Sequence, residues 1–215
     1  MITPKLIIFD CDGVLVDSEP ITITFLIADL ARYGLRLNMA EADSLFVGGT
    51  IKGAAVVARS MGANLPDDWV EDYYSRVHAH LKNGVPLIEG VVNILERLAA
   101  LNIAHCVVSN GPIEKMRITL GQNNLWDRLD GRIFSAHTYN TAKPDPELLL
   151  IAARAFGVDP KDCIAIDDSS SGCMAAAHAG MRCIGFAERS DSENLAATGA
   201  TVIRSMAELP PLIGL

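Results

Sequence analysis

The sequence predicts an α/β protein: a doubly wound parallel sheet that carries a small inserted helical domain. Short apolar runs bounded by turn residues or charge alternate with stretches of helical pattern, and this alternation is typical of βαβ units. One long segment breaks the alternation because it contains helical pattern alone. Of the 215 residues, 50% are hydrophobic and 20% are charged, which suits a buried core beneath a polar surface.

The strands are predicted from five short apolar runs, Leu6–Phe9, Ile103–Val108, Arg132–Ser135, Cys163–Ile166 and Arg182–Phe186. The helices predicted between them are Val91–Ala100, Ile113–Gly121, Glu147–Phe156 and Gly172–Ala179. The third of these helices has a clear start signal, since Asp145 can cap it and Pro146 suits a first helical position.

Residues 19–84 show no pattern of a buried strand. Helical pattern recurs there in four stretches, Ile21–Tyr33, Ala40–Phe46, Ile51–Met61 and Trp69–Leu81. A segment of this length is too long for a simple crossover between two strands. We therefore expect residues 1–18 and 85–215 to form the α/β core domain and residues 19–84 to form a separate helical domain.

The composition narrows the class of function. The formal net charge of −8 argues against binding to nucleic acid or an anionic membrane, because both need clustered Lys and Arg. The N-terminal apolar run stops at Asp10 and is too short for a signal peptide or a membrane span. Five cysteines are scattered without a CxxC pair, as is typical of free thiols in a reducing compartment. We expect a cytoplasmic protein without a nucleic-acid or membrane partner.

Two carboxylates directly follow the first predicted strand. Asp10 and Asp12 lie at its carboxyl end, where open parallel sheets bind their ligands, and Gly13 then permits a tight turn. Because like charges this close repel each other, a hard divalent cation is a suitable counter-charge. For such a pair alone, a solvated acidic turn is the alternative; polar residues after other strands favour an active site.

Polar residues follow two other predicted strands. Ser109-Asn110-Gly111 comes after the second strand, and a hydroxyl with turn amides ahead of a helix suits a phosphate group. Asp167 and Asp168 follow the fourth strand and precede a helix of small residues. Adjacent carboxylates at a strand end suit a Mg²⁺ site.

These segments together resemble the haloacid dehalogenase-like (HAD) superfamily of phosphatases. The run DCDGVLVDS, from Asp10 to Ser18, is similar to the first signature of that superfamily. The segments at Ser109, Lys143 and Asp167 match the other three signatures in order. The resemblance covers nearly the whole chain and implies a HAD-like core fold.

The resemblance also implies catalytic roles. Asp10 is the expected nucleophile and forms an aspartyl-phosphate, while Asp12 is the expected acid and base. Lys143 is expected to offset negative charge between the nucleophile and the phosphate.

The binding roles implied by the resemblance concern phosphate and metal. Ser109 and the Asn110 amide are expected to hold the transferring phosphate. The expected cofactor is Mg²⁺. Its expected ligands are Asp10, the backbone carbonyl of Asp12 and Asp168, with Asp167 acting on the water shell.

The helical insertion after the first signature resembles the type-one cap of this superfamily. Such a cap closes over the site and excludes water. Substrate choice is then expected in the cap, above all in the loop Val47–Lys52, with Gly49 and Thr50 as substrate contacts. Caps of this type favour small, soluble phosphorylated metabolites as substrates. We expect the protein to be a monomer.

Within the superfamily, the segment Cys106–Pro112 with Lys115-Met116 and the motifs at Lys143 and Asp167 resemble the 6-phosphogluconate phosphatase branch. This resemblance implies a sugar or sugar-acid phosphate as substrate. A β-phosphoglucomutase stays open as an alternative, although Thr22 and Val47 replace residues typical of mutases.

Two further alternatives are weaker. An inactive scaffold that only binds a ligand would be expected to lack Asp10 or Asp12, and both are present. A 2-haloacid dehalogenase needs no metal, so Asp12 and Asp168 argue against that activity.

Overall fold

The computed structural model describes residues 4–46 and 50–215 and contains a six-stranded sheet. The strand order is β3-β2-β1-β4-β5-β6, and all neighbouring strands are parallel. The strands are β1 Leu6–Phe9, β2 Ala104–Ser109, β3 Ile133–Ser135, β4 Cys163–Asp167, β5 Arg182–Phe186 and β6 Thr201–Ile203. This is the order of a doubly wound sheet, so the predicted fold class is confirmed.

Helices connect the strands. The segment between β1 and β2 contains α1 Glu19–Arg32, α2 Met39–Phe46, α3 Ile51–Ser60, α4 Trp69–Leu81 and α5 Val91–Ala100. The later helices are α6 Ile113–Gly121, α7 Trp126–Leu129, α8 Ala136–Tyr139, α9 Glu147–Ala155, α10 Ser170–His178, α11 Ser192–Ala197 and α12 Leu209–Ile213. Within the described ranges, every helix is too short or too polar to span a bilayer.

The chain divides into two compact units. One unit runs to Asp17, resumes at Pro86 and holds the whole sheet; the other extends from Ser18 to Val85 and holds α1 to α4. Between the two segments of the sheet unit, the Asp17 N–H donates to the carbonyl of Pro86 at 2.9 Å. The helical insertion therefore leaves and returns at neighbouring points of the sheet unit.

The helical unit has a buried polar centre. Asp29 on α1 is 3% exposed. Its carboxylate accepts hydrogen bonds from Trp69 Nε1 at 2.8 Å, Arg76 at 3.0 Å and Arg32 at 3.1 Å. Because a buried carboxylate is costly unless it is paired, these contacts hold α1 and α4 in one arrangement.

Both faces of the central strand β1 are buried. Successive residues of a strand point to opposite faces, and all four residues of β1 are at most 1% exposed. On one face α9 and α10 pack through Leu148, Ala152, Ala175 and Ala176 against alternate strand residues. Full burial of one large aliphatic side chain contributes roughly 1.5–3 kcal/mol, so this packing holds the strand ends in place.

The sequence pattern predicts the five longer or more buried strands, with ends that differ by at most one residue, but misses β6. This strand has three residues, and Ile203 is its one buried residue, so it lacks an apolar run. The short helices α7, α8, α11 and α12 have four to six residues. Segments this short give no detectable helical period.

Candidate active site

The candidate active site lies at the carboxyl edge of the sheet, where the strand order changes direction. β1 lies between β2 and β4. Asp10 follows β1, Ser109 ends β2 and Asp167 ends β4. The Asp10 N–H donates to the carbonyl of Ile166 at 2.9 Å, which fixes the backbone of this residue to β4. Sheets of this order bind their ligands at such a point.

Lys143 joins two of these carboxylates. Its Nζ donates to Asp10 Oδ1 at 2.8 Å and to Asp167 Oδ2 at 2.7 Å, and its side chain is 3% exposed. Burial alone lowers the pKa of the Lys143 ammonium, but the charges of Asp10 and Asp167 outweigh burial and raise this pKa above its usual value. The lysine therefore stays charged and offers a fixed cation to a group bound at Asp10.

The Asp10 carboxyl itself is strongly perturbed. Burial raises its pKa to about 7; Lys143 opposes this rise, and the neighbouring charges of Asp167 and Asp12 add to it. A cation bound beside Asp10 would favour the ionised form. The carboxylate is the form that can act as a nucleophile.

Asp10, Asp167 and Asp168 form a group of three carboxylates. One oxygen from each lies within 4.8 Å of the others. Two glycines make this approach possible: a Cβ added at Gly13 would lie 2.1 Å from Asp168 Oδ2, and one at Gly172 would lie 1.9 Å from Asp167 Cγ. Gly13 also has a φ of +75°, which other residues rarely adopt. The donor set consists of hard oxygens and fits Mg²⁺.

Asp167 is further fixed by the start of α10. Its Oδ1 accepts from the Ser169 N–H at 3.0 Å and from Ser169 Oγ at 2.7 Å. Ser169 Oγ in turn accepts from the Gly172 N–H at 3.0 Å and so caps the helix. Both oxygens of Asp167 therefore bind protein donors, which fixes this carboxylate at the end of β4.

Asp12 pairs with a different lysine. Lys115 Nζ on α6 lies 2.8 Å from Asp12 Oδ1. A Cβ added at Gly111 would lie 3.3 Å from Ser109 Oγ and 3.4 Å from Asp12 Oδ2, so the Asp12 carboxylate is adjacent to the loop after β2. Lys115 belongs to the segment that resembles the 6-phosphogluconate phosphatase branch, but the sequence indicated no site role for it. Its place in the first turn of the helix that follows Ser109-Asn110-Gly111 is the signal that could have indicated one.

The loop after β2 is tied to the loop that carries Lys143. The Asn110 side chain donates to the Lys143 carbonyl at 3.1 Å and accepts from the Lys143 N–H at 2.8 Å. Ser109 Oγ accepts from the Gly111 N–H at 3.0 Å, and Ser135 Oγ donates to the Gly111 carbonyl at 2.7 Å. These bonds hold the hydroxyl and the cation on one rigid frame.

The structure brings most of the predicted site residues to this edge of the sheet unit: Asp10, Asp12, Ser109, Asn110, Lys143, Asp167 and Asp168. Thr50 belongs to the helical unit, where its hydroxyl accepts from the Gly53 N–H at 3.0 Å and caps α3. Gly49 lies outside the described residues. The substrate contacts expected from Gly49 and Thr50 therefore stay predictions.

A family model and two proteins of known name match this chain. A family model described as haloacid dehalogenase-like hydrolase matches residues 7–186. The chain is similar to a protein named 6-phosphogluconate phosphatase from Escherichia coli (strain K12), with 31% identity over 208 residues that cover 96% of this chain and 93% of that protein. It is also similar to a phosphoglycolate phosphatase of Xanthomonas campestris pv. campestris (strain 8004), with 28% identity, 83% of this chain and 80% of that protein being covered.

Solved structures of haloacid dehalogenase-like proteins have a similar fold. A conserved haloacid dehalogenase-like protein of unknown function from Agrobacterium tumefaciens str. C58 superposes with a TM-score of 0.86 at 32% identity, covering 98% of this chain and 97% of that chain. A HAD family hydrolase from Deinococcus radiodurans R1, solved with bound phosphate and sodium, has a TM-score of 0.83 at 28% identity, covering 99% and 96%.

Proposed function

Because the chain belongs to the haloacid dehalogenase-like hydrolase family, we propose that it is a Mg²⁺-dependent phosphatase of small phosphorylated metabolites. The observation that carries this proposal is the Asp10 carboxylate, which lies 2.8 Å from Lys143 Nζ and belongs to the group of three carboxylates. A nucleophile, a fixed cation and oxygen ligands at one strand end are what phosphoryl transfer requires. Relatives named phosphatases support this reaction.

The proposed reaction has two displacements. In the first, the Asp10 carboxylate attacks phosphorus, the bond to the leaving oxygen breaks, and Asp12 gives its proton to that oxygen. The leaving group departs as an alcohol, and an aspartyl-phosphate remains on Asp10. In the second, Asp12 takes a proton from a water molecule, whose oxygen attacks phosphorus; the bond from Asp10 to phosphorus breaks, so that the Asp10 carboxylate is restored and inorganic phosphate leaves.

The remaining site residues bind and orient the phosphate. The Ser109 hydroxyl and the backbone amide N–H of Asn110 hold the phosphate oxygens, and Lys143 stabilises the charge on them as the transfer proceeds. Mg²⁺, when bound, supplies further positive charge against the same oxygens. Its proposed ligands are Asp10, the Asp12 carbonyl and Asp168, with Asp167 acting through water.

The proposed substrate is a sugar or sugar-acid phosphate. The E. coli relative is named 6-phosphogluconate phosphatase, and its match spans 96% of this chain, including both units. We propose that the helical unit acts as a cap that selects the leaving group, with Gly49 and Thr50 as contacts. The place of the insertion, directly after the Asp10–Ser18 motif, supports this role.

The proposal is tested by phosphate release from a panel of substrates, with Mg²⁺ and with a chelator. The panel contains 6-phosphogluconate, hexose phosphates, phosphoglycolate and β-glucose 1-phosphate. Mg²⁺-dependent release concentrated on one sugar or sugar-acid phosphate is expected. Isomerisation of β-glucose 1-phosphate without phosphate release would instead identify a mutase, and inactivity in both assays would favour the alternative of a binding scaffold.

The role of Asp10 has its own test. Asp10→Asn removes the nucleophile but keeps the shape of the side chain, so turnover is expected to vanish while the circular dichroism spectrum stays unchanged. Intact-mass measurements should show an added phosphoryl group on the wild-type protein during turnover and none on the variant. Normal turnover by Asp10→Asn would exclude an aspartyl-phosphate on this residue.

A further inference from the structure

The reaction proposed above uses Asp12 but assigns no part to Lys115, the lysine that pairs with it. Lys143 is already committed to two other carboxylates, Asp10 and Asp167, at 2.8 and 2.7 Å. Lys115 Nζ lies 2.8 Å from Asp12 Oδ1, and the two side chains are 18% and 19% exposed. Asp12 therefore has a lysine of its own at the proposed reaction centre.

A rigid element presents Lys115. It lies in the first turn of α6, where its N–H donates to the Pro112 carbonyl at 3.0 Å. The next residue, Met116, is 0% exposed, so the core anchors this turn. A Cβ added at Gly111 would lie 3.9 Å from Lys115 Cδ, which shows that the lysine side chain passes over this glycine on its way to Asp12.

We propose that Lys115 is a positioning residue for Asp12, an inference that rests on the phosphatase reaction proposed above. Lys115 holds the Asp12 carboxyl beside the Ser109 loop, where the phosphate is bound, so that the acid faces the leaving oxygen. In the transfer step the proton passes from Asp12 to that oxygen, and Lys115 keeps the Asp12 carboxyl in place while it does so. The phosphorus–oxygen bond breaks, the bond from Asp10 to phosphorus forms, and the proton leaves on the alcohol.

This role differs from simple phosphate binding in one measurable way. An alkyl phosphate needs the proton because an alkoxide is a poor leaving group, whereas 2,4-dinitrophenyl phosphate releases a stable anion. The ratio kcat/KM reports phosphoryl transfer to Asp10, since hydrolysis of the aspartyl-phosphate follows the departure of the leaving group. A positioning role for Lys115 predicts a loss that depends on the leaving group, and a phosphate-binding role predicts an equal loss for all substrates.

The test compares Lys115→Met with wild-type protein on two substrates, 6-phosphogluconate as the alkyl phosphate and 2,4-dinitrophenyl phosphate. For the alkyl phosphate, kcat/KM is expected to fall by roughly 100-fold, the size typical of general acid catalysis. For 2,4-dinitrophenyl phosphate it is expected to fall by less than about threefold. Lys115→Arg keeps the charge and should restore most of the activity. The matched control is Lys161→Met, which removes an exposed ion pair with Asp159 at 3.2 Å and should change neither value.

A double-mutant cycle completes the test. In an Asp12→Asn background the carboxylate is gone, so adding Lys115→Met should cause no further loss on the alkyl phosphate. This pair also remains balanced in charge, which keeps the test valid if Lys115→Met alone folds poorly. Equal losses on both substrates, an unaffected alkyl phosphate, or multiplying losses in the cycle would each overturn the proposal. A wild-type protein inactive on every phosphate ester would instead refute the proposed function.

Discussion

Replacing Gly172 with alanine sets two opposing effects against each other. Gly172 lies in the first turn of α10, and alanine favours a helix by about 1 kcal/mol over glycine. The added Cβ would, however, lie 1.9 Å from Asp167 Cγ, and ordinary van der Waals contact begins at 3.4 Å. The two atoms must therefore separate by 3.4 − 1.9 = 1.5 Å.

Asp167 cannot move this far without losing its partners. Its carboxylate accepts from Lys143 Nζ at 2.7 Å and from Ser169 Oγ at 2.7 Å. A hydrogen bond to a charged group contributes about 1.5–3 kcal/mol, and overpacking costs about 1–3 kcal/mol. After the helix preference is subtracted, a net destabilisation of about 3 kcal/mol is expected.

The assay is urea unfolding followed by circular dichroism, with the free energy of unfolding taken from the midpoint and slope. Gly121→Ala is the matched control, since a Cβ added to this last residue of α6 would meet nothing within 4 Å. We expect the control variant to be as stable as wild type or slightly more stable. A Gly172→Ala variant that also gains stability would refute the reasoning, because helix preference would then outweigh the contact with Asp167.

Three further predictions concern metal binding, the helical unit and pH. Gly13→Ala should weaken Mg²⁺ binding by roughly 10–100-fold in calorimetric titrations, because its Cβ displaces a carboxylate 2.1 Å away; Gly34→Ala shares the positive φ without a clash, so unchanged Mg²⁺ affinity is expected there. Asp29→Ala should destabilise the helical unit by about 3–5 kcal/mol in thermal unfolding, whereas the exposed Asp43→Ala should change stability by less than about 0.5 kcal/mol. Burial lowers the pKa of His105, so the unfolded chain binds this proton more readily. The stability it contributes should be lost as pH falls below about 6.5, and His105→Gln should remove that part of the pH dependence.

Much of the fold could be predicted from local pattern. The doubly wound sheet and the membership of the HAD family are confirmed by the strand order and by the family match over residues 7–186. Buried parallel strands are continuous apolar runs, so they can be predicted from a short stretch of sequence. The edge strand β6 was missed because it has one buried residue, and its place is set by pairing with β5.

The candidate site also contains residues that could be predicted from the sequence and contacts that could not. Asp10, Ser109 and Asp167 could be placed together from the sequence because each ends or follows a strand, and neighbouring parallel strands end at one edge. The first turn after Ser109-Asn110-Gly111 could place Lys115 near this edge, but its pairing with Asp12 could not be predicted from the sequence. Its importance depends on a contact with Asp12 across more than 100 residues of chain, and a lysine in a helix is most often solvated.

The sequence by itself determined the class of fold, the residues at the carboxyl edge of the sheet and the family, because apolar runs and short motifs are local properties of the chain. The tertiary structure decided which cation serves which carboxylate. The resemblance placed Lys143 near Asp10, whereas only the structure shows that Lys143 also binds Asp167 at 2.7 Å and that Lys115 pairs with Asp12 at 2.8 Å. The tertiary structure also decided that Gly13 and Gly172 are needed for the approach of two carboxylates. Such contacts follow from strand order and side-chain packing, which bring distant segments together and leave no trace in local pattern.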